Sequence, residues 1–274
     1  MAGQYKLIVS DFDGTLRRSE GGISEGNVAA IKEYASKGGV FALCTGRMMS
    51  SILPYAKQLE LDGLVVAYQG AQIQEIKSGK ILRDIRIGND GAITVCQFLE
   101  NFGWHIHVYD GDDFYVNRDD LLKKLYEQVC GTKGIVTPLQ ISEVVREKKI
   151  APQKIVVMCE PEKRDEIYNI VNKEFGTSYD VTSSSEYLVE VTERGCDKGS
   201  ALAFLVDFYG IQREECIAIG DNYNDLPMIR YAGLGVAVEN GVDALKKEAD
   251  FLTKSCDDDG VAVVIRKFGL GGEE

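Results

Sequence analysis

Two aspartates separated by a single residue follow the first apolar run of the chain. Asp11 and Asp13 belong to the hexapeptide DFDGTL, residues 11–16, directly after the β-forming stretch YKLIVS. Open α/β sheets place their sites at the carboxyl ends of parallel strands. Two carboxylates there can divide the work, one attacking phosphorus and the other transferring protons. For Asp-x-Asp alone the alternative is a solvated acidic turn, but the complete DFDGTL pattern is far more specific for catalysis.

A second polar turn, Thr45-Gly46-Arg47, follows the buried apolar run GVFALC. A hydroxyl and a backbone amide can hold phosphate oxygens, as can a guanidinium group that turns inward. Taken alone, a strand-end Thr-Gly is more often a plain turn. Its place after a second strand predicts that all three residues contribute to phosphate binding.

A third polar turn, Gly220-Asp221-Asn222-Tyr223-Asn224-Asp225, ends the apolar run ECIAI. Asn and Asp are frequent in ordinary turns after strands, which is the alternative interpretation. Magnesium prefers oxygen ligands in octahedral geometry, and this turn offers several. Its order after DFDGTL predicts a magnesium site with Asp221 as a direct ligand.

Together these motifs resemble those of the haloacid dehalogenase superfamily, in particular its Cof-type phosphatases, over essentially the whole chain. The resemblance implies that Asp11 becomes an aspartyl phosphate. It implies that Asp13 is the acid and base and binds magnesium through its backbone carbonyl. It also implies phosphate contacts from Thr45, Gly46, Arg47 and Asn224, with Asn222 and Asp225 placing waters, phosphate or a lysine.

The same resemblance singles out Lys198, in the segment DKGSAL at the start of a predicted helix. The segment matches the family pattern K-G-x-A-L, and the Gly-Cys-Asp that precedes it departs slightly from the usual spelling. A compact cation there can offset charge between the nucleophile and the transferring phosphoryl group. Without the resemblance, one lysine among 31 cationic residues would be read as a solvated side chain.

One position departs from the family pattern. Many members carry Asn-Gly-Ala after the third strand, whereas this chain carries Gln69-Gly70-Ala71. The extra methylene of Gln69 moves its amide by about 1.5 Å along the side chain. Gln69 is therefore either a displaced substrate contact or a turn residue.

The elements that must position these motifs alternate between strands and helices in both terminal parts of the chain. Residues 1–84 and 186–274 predict a doubly wound parallel-sheet core of the α/β class. Between them, segments such as WHIHVYD and DFYVN alternate in polarity like antiparallel strands. Residues 85–185 are therefore predicted to form an inserted α+β domain, and the resemblance implies a mobile cap that selects the substrate.

Within that insert, Trp104, His105, His107, Tyr109 and Tyr115 form the densest aromatic and imidazole cluster of the chain. Alternation places the two histidines on one face of a strand and Trp104 on the other. Each of them singly is more often a packing or surface residue than a substrate contact. The core motifs hold only phosphate, so some residue of the insert must contact the rest of a substrate.

Composition excludes several classes of function. A net charge of −12 offers no basic face for DNA or RNA. The two histidines are too few for a histidine-rich zinc or iron site, and the seven cysteines, an odd number without a C-x-x-C pair, indicate a reducing cytosol. No segment approaches the about 20 apolar residues of a membrane span. We therefore expect a cytoplasmic protein, either a monomer or a weak homodimer.

The function predicted is that of a magnesium-dependent phosphatase acting on small phosphorylated metabolites, such as sugar phosphates or phosphorylated cofactors. A phosphomutase or phosphotransferase of the same superfamily would pass the group to a second hydroxyl instead of water. A non-catalytic regulator that binds a phosphometabolite is the alternative of another class. The intact motifs argue against that regulator.

Overall fold

The computed structural model describes residues 4–272, which divide into two compact units. The described strands are β1 (Leu7–Ser10), β2 (Val40–Leu43), β3 (Leu64–Ala67), β4 (Gln72–Glu75), β5 (Ile81–Asp84), β6 (His105–Asp110), β7 (Asp113–Val116), β8 (Ile135–Val136), β9 (Lys154–Met158), β10 (Tyr179–Ser185), β11 (Leu188–Glu193), β12 (Cys216–Gly220), β13 (Leu234–Val238) and β14 (Phe251–Thr253).

The described α-helices are α1 (Glu25–Ser36), α2 (Met49–Gln58), α3 (Asn89–Glu100), α4 (Leu121–Cys130), α5 (Ile141–Lys148), α6 (Pro161–Phe175), α7 (Lys198–Tyr209), α8 (Leu226–Tyr231), α9 (Asp243–Glu248) and α10 (Gly260–Val264). Pro54 lies inside α2, since that helix already begins at Met49. Over residues 4–272, the helices are all too short or too polar to cross a membrane.

The first unit contains a parallel sheet of order β14-β13-β12-β1-β2, as the alternating strands and helices predicted. Strand β1 is completely buried, as expected for a strand with helices on both faces of its sheet. The chain moves from β1 to β2 in one direction and from β12 to β14 in the other. The carboxyl ends of β1 and β12 therefore flank the point where the strand order reverses, where such sheets bind ligands.

Side-chain caps fix the starts of two helices of this unit, and the second of these helices carries Lys198. Ser24 caps α1 by accepting a hydrogen bond from Asn27 N at 3.0 Å. Asp197 caps α7 by accepting from Ser200 N at 2.7 Å, so Lys198 is the first residue of the helix. At the other end of α7, Gly210 adopts φ +62°, a left-handed conformation that suits glycine and ends the helix.

The second unit contains residues 47–51 and 83–196 and a mainly antiparallel sheet of order β10-β11-β9-β6-β7-β8. One face carries apolar side chains such as Ile106, Val157 and Val191, and helices α3, α5 and α6 cover it. Strand β11 pairs with both β9 and β10. The second unit therefore continues to residue 196, past the predicted end of the insert at residue 185, because strand pairing keeps β11 in this sheet.

Candidate active site

Asp11 lies at the carboxyl end of β1. Its backbone N–H donates to Ile219 O at 2.9 Å, which fixes it beside the end of β12. Only 5% of Asp11 is exposed, so its carboxylate has lost most of its hydration. A carboxylate held in this way at a strand end can attack a substrate without first being desolvated.

Lys198 is fully buried and joins two carboxylates. Its Nζ lies 2.5 Å from Asp11 Oδ1 and 2.5 Å from Asp225 Oδ1. Burial by itself would lower the pKa of this lysine, but Asp11 and Asp225 outweigh burial and raise it. Lys198 is therefore expected to remain charged although it is fully buried.

Three carboxylates meet here: one oxygen each of Asp11, Asp221 and Asp225 lie within 4.8 Å of one another. Burial raises the pKa of Asp11 to about 7, with Asp225 and Asp13 adding to the shift and Lys198 opposing it. Burial, together with Asp11 and Asp225, raises the pKa of Asp221 well above its usual value. When all three carboxyls are ionised their charge exceeds what Lys198 balances, so Asp11 and Asp221 hold protons more tightly than usual, and the hard oxygen donors of the cluster suit magnesium.

The turns that carry these acids pack tightly. Thr15 Oγ1 donates to Asp221 Oδ1 at 2.9 Å. Gly14 has φ +80°, and a Cβ on it would lie 2.6 Å from Asp221 Oδ2, so only glycine fits. Gly14 and Thr15 of DFDGTL therefore pack against Asp221 and hold it beside the end of β1.

Asp225 organises the other turn of the cluster. Its Oδ2 accepts hydrogen bonds from the backbone N–H of Asp221 at 2.8 Å and of Asn222 at 3.0 Å. The side chain of Asn222 accepts from Tyr223 N at 2.8 Å and so also stabilises the turn.

Asp13 differs from Asp11 in its surroundings. Its side chain is 36% exposed, and its Oδ1 lies 3.7 Å from Arg17 Nη1. A carboxyl group that meets both solvent and the site is suited to exchange protons with a leaving group and with water. Arg17 was not identified by sequence, because an arginine in a turn has no spacing signal.

The residues predicted to hold phosphate have different surroundings. Thr45 is buried, and its carbonyl accepts from Gln69 N at 3.0 Å. Asn224 Nδ2 donates to Gln69 Oε1 at 2.9 Å, which ties the β3 turn to the turn after β12. Arg47 groups with the second unit and donates from Nη1 to Ser51 Oγ at 3.2 Å. Its phosphate contact stays a prediction.

Asn240 is a site-supporting residue that the sequence analysis missed. Its Nδ2 donates to Gly14 O at 2.7 Å and its Oδ1 accepts from Cys256 N at 2.9 Å. It thereby joins the DFDGTL turn to the loop after β14. The only signal available was an Asn-Gly pair after β13, which marks turns in general.

Comparison with known proteins places this geometry among related chains. The sequence profile of the haloacid dehalogenase-like hydrolase family matches residues 8–265. The stress response protein YhaX of Bacillus subtilis is 31% identical over 273 residues, covering 96% of this chain and 93% of YhaX. A 5-amino-6-(5-phospho-D-ribitylamino)uracil phosphatase of the same organism, YwtE, is 28% identical and covers 95% and 96% of the two chains.

A solved structure shows the same similarity in three dimensions. The crystal structure of a haloacid dehalogenase-like hydrolase from Bacteroides thetaiotaomicron superposes with a TM-score of 0.84. It is 29% identical in sequence and covers 96% of this chain and 99% of its own. The similarity thus extends over both units.

Proposed function

This chain belongs to the haloacid dehalogenase-like hydrolases as a Cof-type phosphatase, and from that premise we propose that it hydrolyses small phosphorylated metabolites with magnesium and Asp11 as the nucleophile. The observation that carries the proposal is Lys198, which contacts Asp11 and Asp225 at 2.5 Å each in a cluster that also contains Asp221. A carboxylate held by a buried cation at a strand end has the environment of a nucleophile rather than of a solvated turn.

In the first step an Asp11 oxygen attacks phosphorus and the bond from phosphorus to the ester oxygen breaks. Asp13 donates a proton to that oxygen, so the alcohol leaves uncharged. In the second step Asp13 takes a proton from water, whose oxygen attacks phosphorus. The Asp11–phosphorus bond then breaks, which releases phosphate and restores the Asp11 carboxylate.

The charges in the site indicate roles for the remaining residues. We expect Asp11, Asp221 and the Asp13 carbonyl to hold magnesium, because Asp225 already accepts from Lys198 and from two backbone N–H groups. Bound magnesium would neutralise the nucleophile and the phosphate oxygens as they approach. Lys198 and the Thr45 hydroxyl would stabilise the phosphoryl oxygens during transfer.

The substrate is proposed only as a class. The name of YwtE specifies a phosphorylated ribitylamino compound. Sugar phosphates, polyol phosphates and phosphorylated cofactors are therefore the first compounds to test.

The decisive experiment measures phosphate release from a panel of such metabolites, with magnesium and after its removal by EDTA. We expect release with magnesium, none in EDTA, and recovery when magnesium is returned. Full activity after verified metal removal would contradict the magnesium assignment.

Two further outcomes separate the rival functions. Turnover that requires an added hydroxyl acceptor would identify a phosphotransferase. Binding of metabolites without any release of phosphate would identify a regulator.

A further inference from the structure

The turn after β3 has an unusual backbone. Tyr68 and Gln69 have φ values of +52° and +60°, and Gly70 follows at +104°. Left-handed conformations cost residues other than glycine roughly 1–2 kcal/mol each. Both side chains are buried, Tyr68 at 1% exposure and Gln69 at 2%. A strained turn of this kind persists only where the surrounding contacts hold it, and such turns concentrate at functional sites.

This turn contacts two of the turns that carry site residues. Gln69 N donates to Thr45 O at 3.0 Å. A Cβ on Gly46 would lie 2.4 Å from Gln69 Nε2, so the Gln69 amide occupies the space that a side chain at position 46 would need. A Cβ on Gly70 would lie 2.4 Å from Asp197 O, beside the cap of the helix that begins with Lys198. Both glycines allow this close packing.

The Gln69 side chain then reaches a third turn. Its Oε1 accepts from Asn224 Nδ2 at 2.9 Å, in a buried hydrogen bond across 155 residues of sequence. The oxygen of the Asn224 side-chain amide, Oδ1, is also buried, and it has no hydrogen-bond partner among residues 4–272. Asn224 itself is 7% exposed and precedes Asp225, which holds Lys198.

A buried carbonyl oxygen without a donor is unfavourable, and the missing donor has to come from outside the described chain. A phosphate dianion offers no hydrogen. The reaction does supply O–H groups, namely the attacking water and the alcohol product. Asn224 Oδ1 therefore matches an O–H group and not the phosphate oxygens.

We propose that Gln69 is a positioning residue, which holds the Asn224 amide so that Asn224 Oδ1 accepts a hydrogen bond from a water or alcohol O–H in the reacting complex. This inference rests on the proposed phosphatase function. It gives a role to the glutamine that replaces the family's usual asparagine, because the longer side chain reaches Asn224.

The test is a double-mutant cycle in the full chain with Gln69→Met, Asn224→Ala and both together. Methionine has about the length of glutamine but cannot accept the hydrogen bond. We expect Gln69→Met to lower kcat about fivefold to tenfold, the effect of about one hydrogen bond, with little change in KM. If Gln69 acts through Asn224, the double variant has the kcat of Asn224→Ala alone.

Two controls keep the cycle interpretable. Gln72→Met alters another buried glutamine, in β4, and should leave kcat unchanged. If Gln69→Met does not fold, Gln69→Asn replaces it, because it keeps an amide but shortens the side chain. An inactive wild-type protein would contradict the proposed function. An active wild type with multiplicative effects in the cycle, or with unchanged kcat in Gln69→Met on an alkyl phosphate, would overturn the role of Gln69.

The same variants identify the O–H group. With p-nitrophenyl phosphate, whose leaving group departs as a stable anion, loss of a contact to water slows only the second step and produces a burst of p-nitrophenolate. Loss of a contact to the alcohol slows the first step for alkyl phosphates and leaves the aryl ester unaffected. Equal slowing of the first step for both ester types, without a burst, would contradict either contact.

Discussion

Each unit of the molecule buries one lysine with a carboxylate, and the two surroundings differ. In the first unit Lys198 contacts two carboxylates, and Asp221 adds a third to the same cluster. In the second unit Lys154 Nζ lies 2.6 Å from Glu190, at 2% and 0% side-chain exposure. The Lys154 ammonium also lies 5.2 Å from the centre of the Tyr109 ring.

The Lys154–Glu190 pair has the surroundings of an ion pair that stabilises the fold, whereas the cluster around Lys198 has those of a reactive site. The Lys154–Glu190 ion pair joins the neighbouring strands β9 and β11, and a buried pair of this kind can fix the arrangement of a sheet face. Three carboxylates around one lysine leave uncompensated negative charge, which a cation can neutralise. The raised pKa values of Asp11 and Asp221 result from burial together with this excess.

Asp11→Asn should have the largest effect on activity, and it is the most severe test of the difference between the two lysine sites. The amide is a poor nucleophile, so we expect activity to fall by about 10⁴-fold or more while the fold is retained. The matched change Glu190→Gln in the second unit should preserve turnover but lower the free energy of unfolding. Initial rates measure turnover, and urea denaturation measures the free energy of unfolding of each variant. Near wild-type rates in Asp11→Asn would remove Asp11 as the nucleophile.

Asp13→Asn should have the next largest effect and separates two carboxylates of the same motif. Alkyl leaving groups need a proton in the transition state, so we expect their first step to slow by about 10²- to 10⁴-fold. The aryl ester p-nitrophenyl phosphate needs little such help, but hydrolysis of its phosphoenzyme still requires a base. Stopped-flow absorbance should show one p-nitrophenolate released per site, followed by slow turnover. Equal slowing of both ester types without a burst would show that Asp13 acts through structure.

Lysine-to-methionine changes in the two ion pairs compare them directly. Lys198→Met should lower kcat by about 10²- to 10³-fold, because a charge that stabilises the phosphoryl group is lost. Lys154→Met removes a cation that contacts the buried Glu190 carboxylate and should lower the free energy of unfolding by up to about 3–5 kcal/mol, with kcat on p-nitrophenyl phosphate unchanged. If Lys154→Met reduced kcat as strongly as Lys198→Met, the second pair would also belong to the chemistry.

The pH dependence of stability should differ between metal-free and magnesium-bound protein. The folded pKa of Asp11 is about 7 and its ordinary value 3.8, so the folded state binds more protons between these values. The contribution of Asp11 to the stability of the metal-free protein should therefore fall as pH rises from about 4 to about 7, by up to about 4 kcal/mol. Denaturation in EDTA across this range measures the slope, and Asp11→Asn should reduce it. If the free energy of unfolding rose with pH in both the metal-free and the magnesium-bound protein, the excess negative charge inferred for the cluster around Asp11 would be wrong.

Magnesium should stabilise the protein without any substrate present. At about 100 times the dissociation constant we expect a gain near 2.7 kcal/mol. Asp221→Ala should lose this gain, whereas Glu190→Gln should keep it, since Glu190 does not belong to the acidic cluster of Asp11, Asp221 and Asp225. Thermal unfolding with and without magnesium provides the measurement. An unchanged magnesium effect in Asp221→Ala would remove Asp221 from the metal site.

The sequence alone predicted the parallel sheet and the position of each motif at the end of a strand. The apolar runs before Asp11, Thr45 and Asp221 are short and bounded by polar turns, and such local patterns determine where strands end. The carboxyl ends of parallel strands share one edge, and Asp11 and Asp221, which follow β1 and β12, lie together there in the acidic cluster. The histidines of β6 were placed on one face by alternation alone, and β6 pairs with β7 and β9 as such a strand should.

Only the tertiary structure decided which side chains meet within the site. The hydrogen bonds of Lys198 to Asp11, of Asn224 to Gln69 and of Asn240 to Gly14 span 187, 155 and 226 residues. A pattern in sequence reports the local backbone and burial, but not the rotamer of a glutamine or the partner of an asparagine. Those depend on how loops from distant strands pack, and here the missing side chains of Gly14 and Gly46 create the space in which they do so.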